Sequence, residues 1–156
     1  MADVLIYWRD HAANWAYQFA EERAFHWHSS AKCIAELQPG DRMWMVTSGR
    51  ELRLEAEQAA FLVGVWAVRE VIDNPDDDPA YPSDDYRKRV VADPSASVIL
   101  TEPIAVDDIL RPAGRDRAAS IGRFLQGPRV LTDEKKRLLR AAAGGELAAT
   151  WLRSKA

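Results

Sequence analysis

Several residue types are scarce in this sequence, and each scarcity excludes a class of protein. It has a single cysteine, Cys33, so no internal disulfide can form. That argues against a small disulfide-built scaffold and suits a reducing compartment. No apolar run approaches the ~20 residues needed to cross a bilayer as a helix. Met1 to Trp8 lacks the basic stretch and long apolar core of a secretory leader, so a cytoplasmic location without membrane association is expected. There is no Gly-x-Ser-x-Gly, no P-loop and no dinucleotide fingerprint. No internal repeat or low-complexity tract breaks the chain. Its 156 residues, 47% of them hydrophobic, are expected to form one domain over 1–156.

Histidine is nearly as scarce. Of the three, His26 and His28 flank Trp27. Two histidines at i, i+2 on a strand could ligate a metal, but a zinc site needs further ligands and Cys33 is the only thiol. Cys33 with His26 or His28 could form a nucleophile pair, although a lone helical cysteine is more often a small hydrophobe. Paired carboxylates occur only in a loop where solvent would screen them. No metal, no cofactor and no catalytic residue are therefore expected.

Tryptophan is plentiful, with six residues. Trp44 and Trp66 fall inside apolar runs, where core packing is the ordinary role. Trp8 and Trp27 sit at element edges beside Arg9 and His28, where an indole face could stack on a flat base or a cation. Charge is uneven. Residues 111 to 140 carry nine basic side chains against three acids, a net +6 that leaves −9 for the rest of the chain. Such a segment either attracts phosphate or forms a solvated helical surface.

The apolar runs place strands near 3–8, 42–48, 60–72, 86–92 and 97–101. Gly64 inside the third marks a bulge or a close backbone approach. Gln38-Pro39-Gly40-Asp41 reads as a turn. A helix is expected near 14–25, capped by Asn14, and a short one from Ala31 to Leu37, capped by Ser29 or Ser30. The stretch 73–85, rich in Asp and Pro, reads as a long exposed loop. Thr132 opens a helix from Asp133 to Ala143, Gly144-Gly145 ends it, and Glu146 to Arg153 forms a terminal helix with Leu147, Trp151 and Leu152 inward. Strands without regularly alternating helices argue against a doubly wound sheet. The expected fold is α+β: a small mixed β-barrel with helices on its rim and at the C-terminus.

The order Tyr7-Trp8, Asn14-Trp15, Phe25-His26-Trp27 and Leu37-Gln38-Pro39-Gly40-Asp41-Arg42-Met43 resembles the start of EVE domains. These belong to the PUA-like superfamily, relatives of the YTH readers of methylated RNA. Val63-Gly64-Val65, Val98-Ile99-Leu100 with Pro103-Ile104, Ile121-Gly122-Arg123-Phe124 and Pro128-Arg129-Val130-Leu131 are similar to later segments of that family. His28 stands where the family usually has a small residue. The resemblance implies a PUA-like barrel that binds a modified base of DNA or RNA, flipped from its stack. It implies Trp27 as one wall of an aromatic pocket and Trp8, Arg9 and Asn14 at its mouth. His28 or Ser29 would offer hydrogen bonds, and Arg123 and Arg129 would hold neighbouring phosphates. The same pocket could serve a small-molecule or nucleotide sensor, and His26 or His28 could serve a small hydrolase or nuclease. Oligomeric state is not legible.

Overall fold

The computed structural model describes residues 2–11, 25–111, 121–125 and 127–154, with Thr101 and 145–154 described by backbone alone. Its strands are β1 (Asp3–Tyr7), β2 (His26–Ser29), β3 (Arg42–Ser48), β4 (Ala60–Asp73), β5 (Lys88–Ala92), β6 (Val98–Ala105) and β7 (Arg129–Val130). Its helices are α1 (Lys32–Ala35), α2 (Asp107–Leu110), α3 (Ile121–Leu125) and α4 (Asp133–Ser154). The strands join in the order β2-β5-β4-β3-β1-β7, with β6 also on β4. Among the described strands only β1 and β3 pair in parallel. The fold is therefore α+β, dominated by one mixed sheet.

Of the expected small mixed β-barrel, the described strands form the mixed sheet but do not close it. β2 pairs with β5 and β7 pairs with Val4 and Leu5 of β1, but the two end strands do not pair with each other. A cleft lined by β2 residues and by Gly127-Pro128, just before β7, lies there instead.

Alternation along the strands sends side chains to two cores. Val4, Ile6 and Trp8 face one side with Met43 and Met45, while Leu5, Trp44 and Val46 face the other. In β4 the alternation breaks at Gly64. Leu62 and Val65 share one core, and Val63, Trp66 and Val68 share the other. The β3–β4 register shifts between Met45 and Val46, and the β4–β6 register between Leu62 and Gly64. A Cβ at Gly64 would meet the Val98 carbonyl oxygen at 2.8 Å. Both readings of this glycine hold: it sits at a bulge and permits a close backbone approach. The bulge turns Trp66 toward Trp8.

The turn after α1 is built as its residues dictate. Gly40 has φ +92, the Asp41 N–H donates to the Gln38 carbonyl at 3.0 Å, and the Asp41 carboxylate accepts from Ala2 and Gln38 N–H. Ser29 accepts the Ala31 N–H, but Ala31 is the residue that precedes α1, and no side chain caps that helix.

Leu139 and Ala143 of α4 pack into the core of Trp44, with α2 and α3 alongside. Thr132 Oγ1 accepts the Lys135 N–H at 3.3 Å, the cap expected at that helix start. The helix does not stop at Gly144-Gly145 but runs on to Ser154 as one element. Gly144 does not take the left-handed conformation that a glycine stop requires, so the pair weakens the helix without ending it. The inward roles expected of Leu147, Trp151 and Leu152 concern side chains outside the described set. Most of the helix expected near 14–25 also lies outside the described residues; Phe25 is a turn residue with φ 63.

Candidate functional site

The end of β1, the strand β2 and the loop between β4 and β5 enclose a cavity of about 190 Å³. Its walls are Tyr7, Trp8, Arg9 and Asp10, then His26, Trp27 and His28, then Tyr81 and Tyr86. A second cleft of about 280 Å³ shares Tyr7, Arg9, Trp27, His28 and Tyr86, and adds Ile6, Ser29, Ser30, Asp85, Gly127 and Pro128. The two meet along the open seam of the sheet. A third cleft, of about 290 Å³, is bordered by Arg9, Asp10, Arg50, Glu51 and Glu57, with Tyr7 the one aromatic among its described lining residues.

An aromatic cluster supports the first cavity. Trp8, Trp27 and Trp66 meet edge to face, with ring centroids 5.7 to 6.4 Å apart. Trp8 is only 2% exposed, so it is as much a core residue as a pocket wall. Trp27 is half-buried: it packs on this core and lines both cavities. On the opposite wall Tyr81 stacks on His28 at 4.4 Å and 11°, and Tyr86 meets Tyr81 edge-on.

The acidic loop that carries these tyrosines is ordered by its own polar side chains. Asn74 Nδ2 donates to the carbonyls of Tyr81 at 2.9 Å and Tyr86 at 2.7 Å. Asp76 accepts the Ser83 N–H. Ser30 ties the loop to β2, donating to the Asp85 carbonyl and accepting the Arg87 N–H. An exposed loop was legible in the sequence; its function as a pocket wall was not. The signal was two tyrosines in a stretch otherwise of Asp, Pro and Ser.

His28 is buried behind this wall. Its Nε2 accepts a hydrogen bond from Arg89 Nε at 2.9 Å. The Arg89 guanidinium, itself buried, grips Asp77 through both terminal nitrogens. Burial holds the His28 pKa at about 4, helped by Arg89 and His26 and opposed by Asp78 and Asp77. His28 is therefore neutral at physiological pH, and its Nε2 lone pair is engaged. That leaves His28 without a basic nitrogen of suitable pKa for acid–base chemistry near pH 7. Burial also raises the Cys33 pKa, so its thiol stays protonated, and Cys33 lines neither cavity. Among the described residues no three of His, Cys, Asp and Glu lie close enough together to hold a metal ion.

A depressed histidine pKa has a consequence for stability. Between the unfolded value of 6.5 and about 4, the unfolded chain binds a proton that folded His28 refuses. The contribution is complete above pH 6.5 and is lost as pH falls toward 4. His11, also lowered by burial, acts in the same direction. Thermal melts between these limits are expected to show a steeper loss of Tm for wild type than for His28→Gln. Equal slopes would mean that His28 titrates normally in the fold.

The other expected site residues are placed as follows. Arg9 is exposed and borders both cavities. Ser29 lines the second cleft. Asn14 lies outside the described residues. Arg123 is exposed on α3, whose Gly122 lies so close to Tyr7 that a Cβ would meet the ring at 2.4 Å. Arg129 is exposed on β7, directly after Gly127-Pro128 of the second cleft, and donates from Nε and Nη2 to the Leu125 and Phe124 carbonyls. The basic segment is not one solvated patch. Arg111 is 1% exposed and paired with Asp107, and Lys136 reaches the buried Asp3 at 3.1 Å.

These features define a mixed-sheet α+β protein with an aromatic pocket at an open seam. No protein-family model matches the chain, and a search of curated proteins finds no match to it.

Proposed function

We propose that the chain is a reader of modified nucleobases of the EVE, PUA-like type, its strands acting as a small incomplete barrel. It would bind a flipped base of DNA or RNA, within the cytoplasm and without catalysis. One observation carries this reading: a half-open cavity of about 190 Å³ faced by Trp27, Tyr86 and the stacked Tyr81–His28 pair. Flat aromatic walls interspersed with polar groups, Arg9, Asp10, His26 and His28, suit a planar heterocycle with hydrogen-bonding edges, and the volume lies below the ~300–1,000 Å³ of sites for larger ligands. Arg9 at the mouth, with Arg123 and Arg129 beyond the second cleft, supplies cations for a phosphate backbone.

A sensor of free nucleosides or other small molecules is the second reading. It is favoured by the internal use of Arg111 and Lys136, which reduces the cationic surface. Titration of oligonucleotides carrying different modified bases, between about 50 and 200 mM salt, separates the two. A reader loses affinity steeply with salt, and Arg123→Ala or Arg129→Ala each flattens the slope by about one unit. Because Arg129 also holds the end of α3, its variant is melted in parallel. Tight binding of a free nucleoside with no salt dependence would establish the sensor instead.

A further inference from the structure

We propose that His28 is the specificity-determining donor of the pocket, presenting Nδ1–H to a ligand edge that carries a hydrogen-bond acceptor. The inference rests on the base-reading proposal above and adds to it which face of the base is read.

The argument begins with Arg89. Its guanidinium has only donors, so the 2.9 Å contact between Arg89 Nε and His28 Nε2 has one polarity: the imidazole nitrogen accepts. A neutral imidazole with an accepting Nε2 must carry its proton on Nδ1. The arginine cannot turn away to relax that choice. It is 7% exposed, and both its terminal nitrogens hold Asp77. The ring cannot easily turn either, because Tyr81 stacks flat on it at 4.4 Å. Nδ1 has no hydrogen-bond partner among the described residues, nor is it one of their sealed, unpartnered polar atoms. It thus keeps some accessible surface, although His28 as a whole is only 8% exposed, and the space that His28 lines is the pair of cavities. His28 stays neutral well below pH 7, so the donor does not become a cation under ordinary conditions.

A fixed donor discriminates between edges. A carbonyl oxygen can accept from it, whereas an exocyclic amino group placed there would set donor against donor. The 4-oxo edge of uracil presents an acceptor where cytosine presents an amino donor. The pocket should therefore favour oxo-bearing over amino-bearing bases at this position.

Two measurements test this on the full chain. Proton–nitrogen correlation spectra at pH 7, with His28 assigned by its loss in His28→Gln, read the tautomer without any ligand. Wild type is expected to show Nδ1–H, and Arg89→Met to lose that preference. Fluorescence titration with single-stranded oligonucleotides bearing one central deoxyuridine or deoxycytidine, and with free uracil and cytosine, reads the selectivity. Wild type should bind the oxo-bearing member about tenfold more tightly, and Arg89→Met should bind the two nearly equally. An Nε2–H tautomer in wild type overturns the inference, whatever the variant does. Equal binding of both members by wild type overturns it too while leaving the base-reading proposal intact. Binding of neither member, with no oligonucleotide of the modified-base titration bound either, overturns both.

Discussion

Trp44→Ala is expected to cost about 3–5 kcal/mol, a large part of the stability of an ordinary domain. Trp44 is fully buried among Leu5, Val46, Leu62 and Val65. Truncation would open a cavity that β1, β3 and β4, each hydrogen-bonded to its neighbours, cannot collapse to fill. The indole also donates from Nε1 to Asp3 Oδ1 at 2.8 Å. Without it, a buried carboxylate keeps Lys136 on Oδ2 and loses its partner on Oδ1. At ~2–4 °C per kcal/mol, the melting temperature should fall by about 6–20 °C. Trp44→Phe separates the two contributions, because it restores most of the packing and none of the hydrogen bond. A Trp44→Ala protein that melts within about 2 °C of wild type would refute the placement of this residue in the core.

Trp27→Ala is expected to show the opposite balance. Its ring is half-buried and meets Trp8 at 6.3 Å and Trp66 at 6.4 Å, so its loss should cost about 1–2 kcal/mol of stability, less than full burial would. A residue with no core role would leave the melting temperature unchanged, and these edge-on contacts are why a modest fall is expected here. Binding should suffer more. Removal of a stacking platform costs ~1–3 kcal/mol per base, on the order of tenfold to a hundredfold in Kd. Trp27→Phe should recover part of the affinity and show less tryptophan quenching by a bound base. If Trp27→Ala destabilises as much as Trp44→Ala and its folded fraction still binds, the aromatic-pocket reading fails.

Much of the sheet was legible because its signals are local. The strands expected near 3–8, 42–48, 60–72, 86–92 and 97–101 correspond to β1, β3, β4, β5 and β6, each a run of apolar or β-branched residues. The turn at Pro39-Gly40 and the cap at Thr132 follow from single-residue stereochemistry. β2 and β7 were not legible as strands. His26-Trp27-His28-Ser29 has no apolar alternation, and two residues of β7 carry no periodicity at all. Both are strands only because β5 and β1 offer them backbone partners.

The candidate site divides along the same line. Trp8, Arg9, Trp27, His28 and Ser29 stand out in the sequence through residue type and resemblance, and the structure brings them to adjoining cavities. Tyr81, Tyr86 and Arg89 did not stand out, being more than 50 residues from β2, the tyrosines in or beside a stretch of acids and prolines and Arg89 in the strand that follows it. What the sequence determined by itself is whatever depends on near neighbours: the exclusion of disulfides, the main strands, the proline–glycine turn and the start of the last helix. What only the tertiary structure decided depends on groups far apart in the chain. The bulge at Gly64 turns Trp66 toward Trp8, Ser30 ties the acidic loop to the end of β2, and Arg89 sets the proton of His28. The reason is that a hydrogen bond or a ring contact needs two partners, and a residue 61 positions away leaves no trace in the local pattern that a sequence displays.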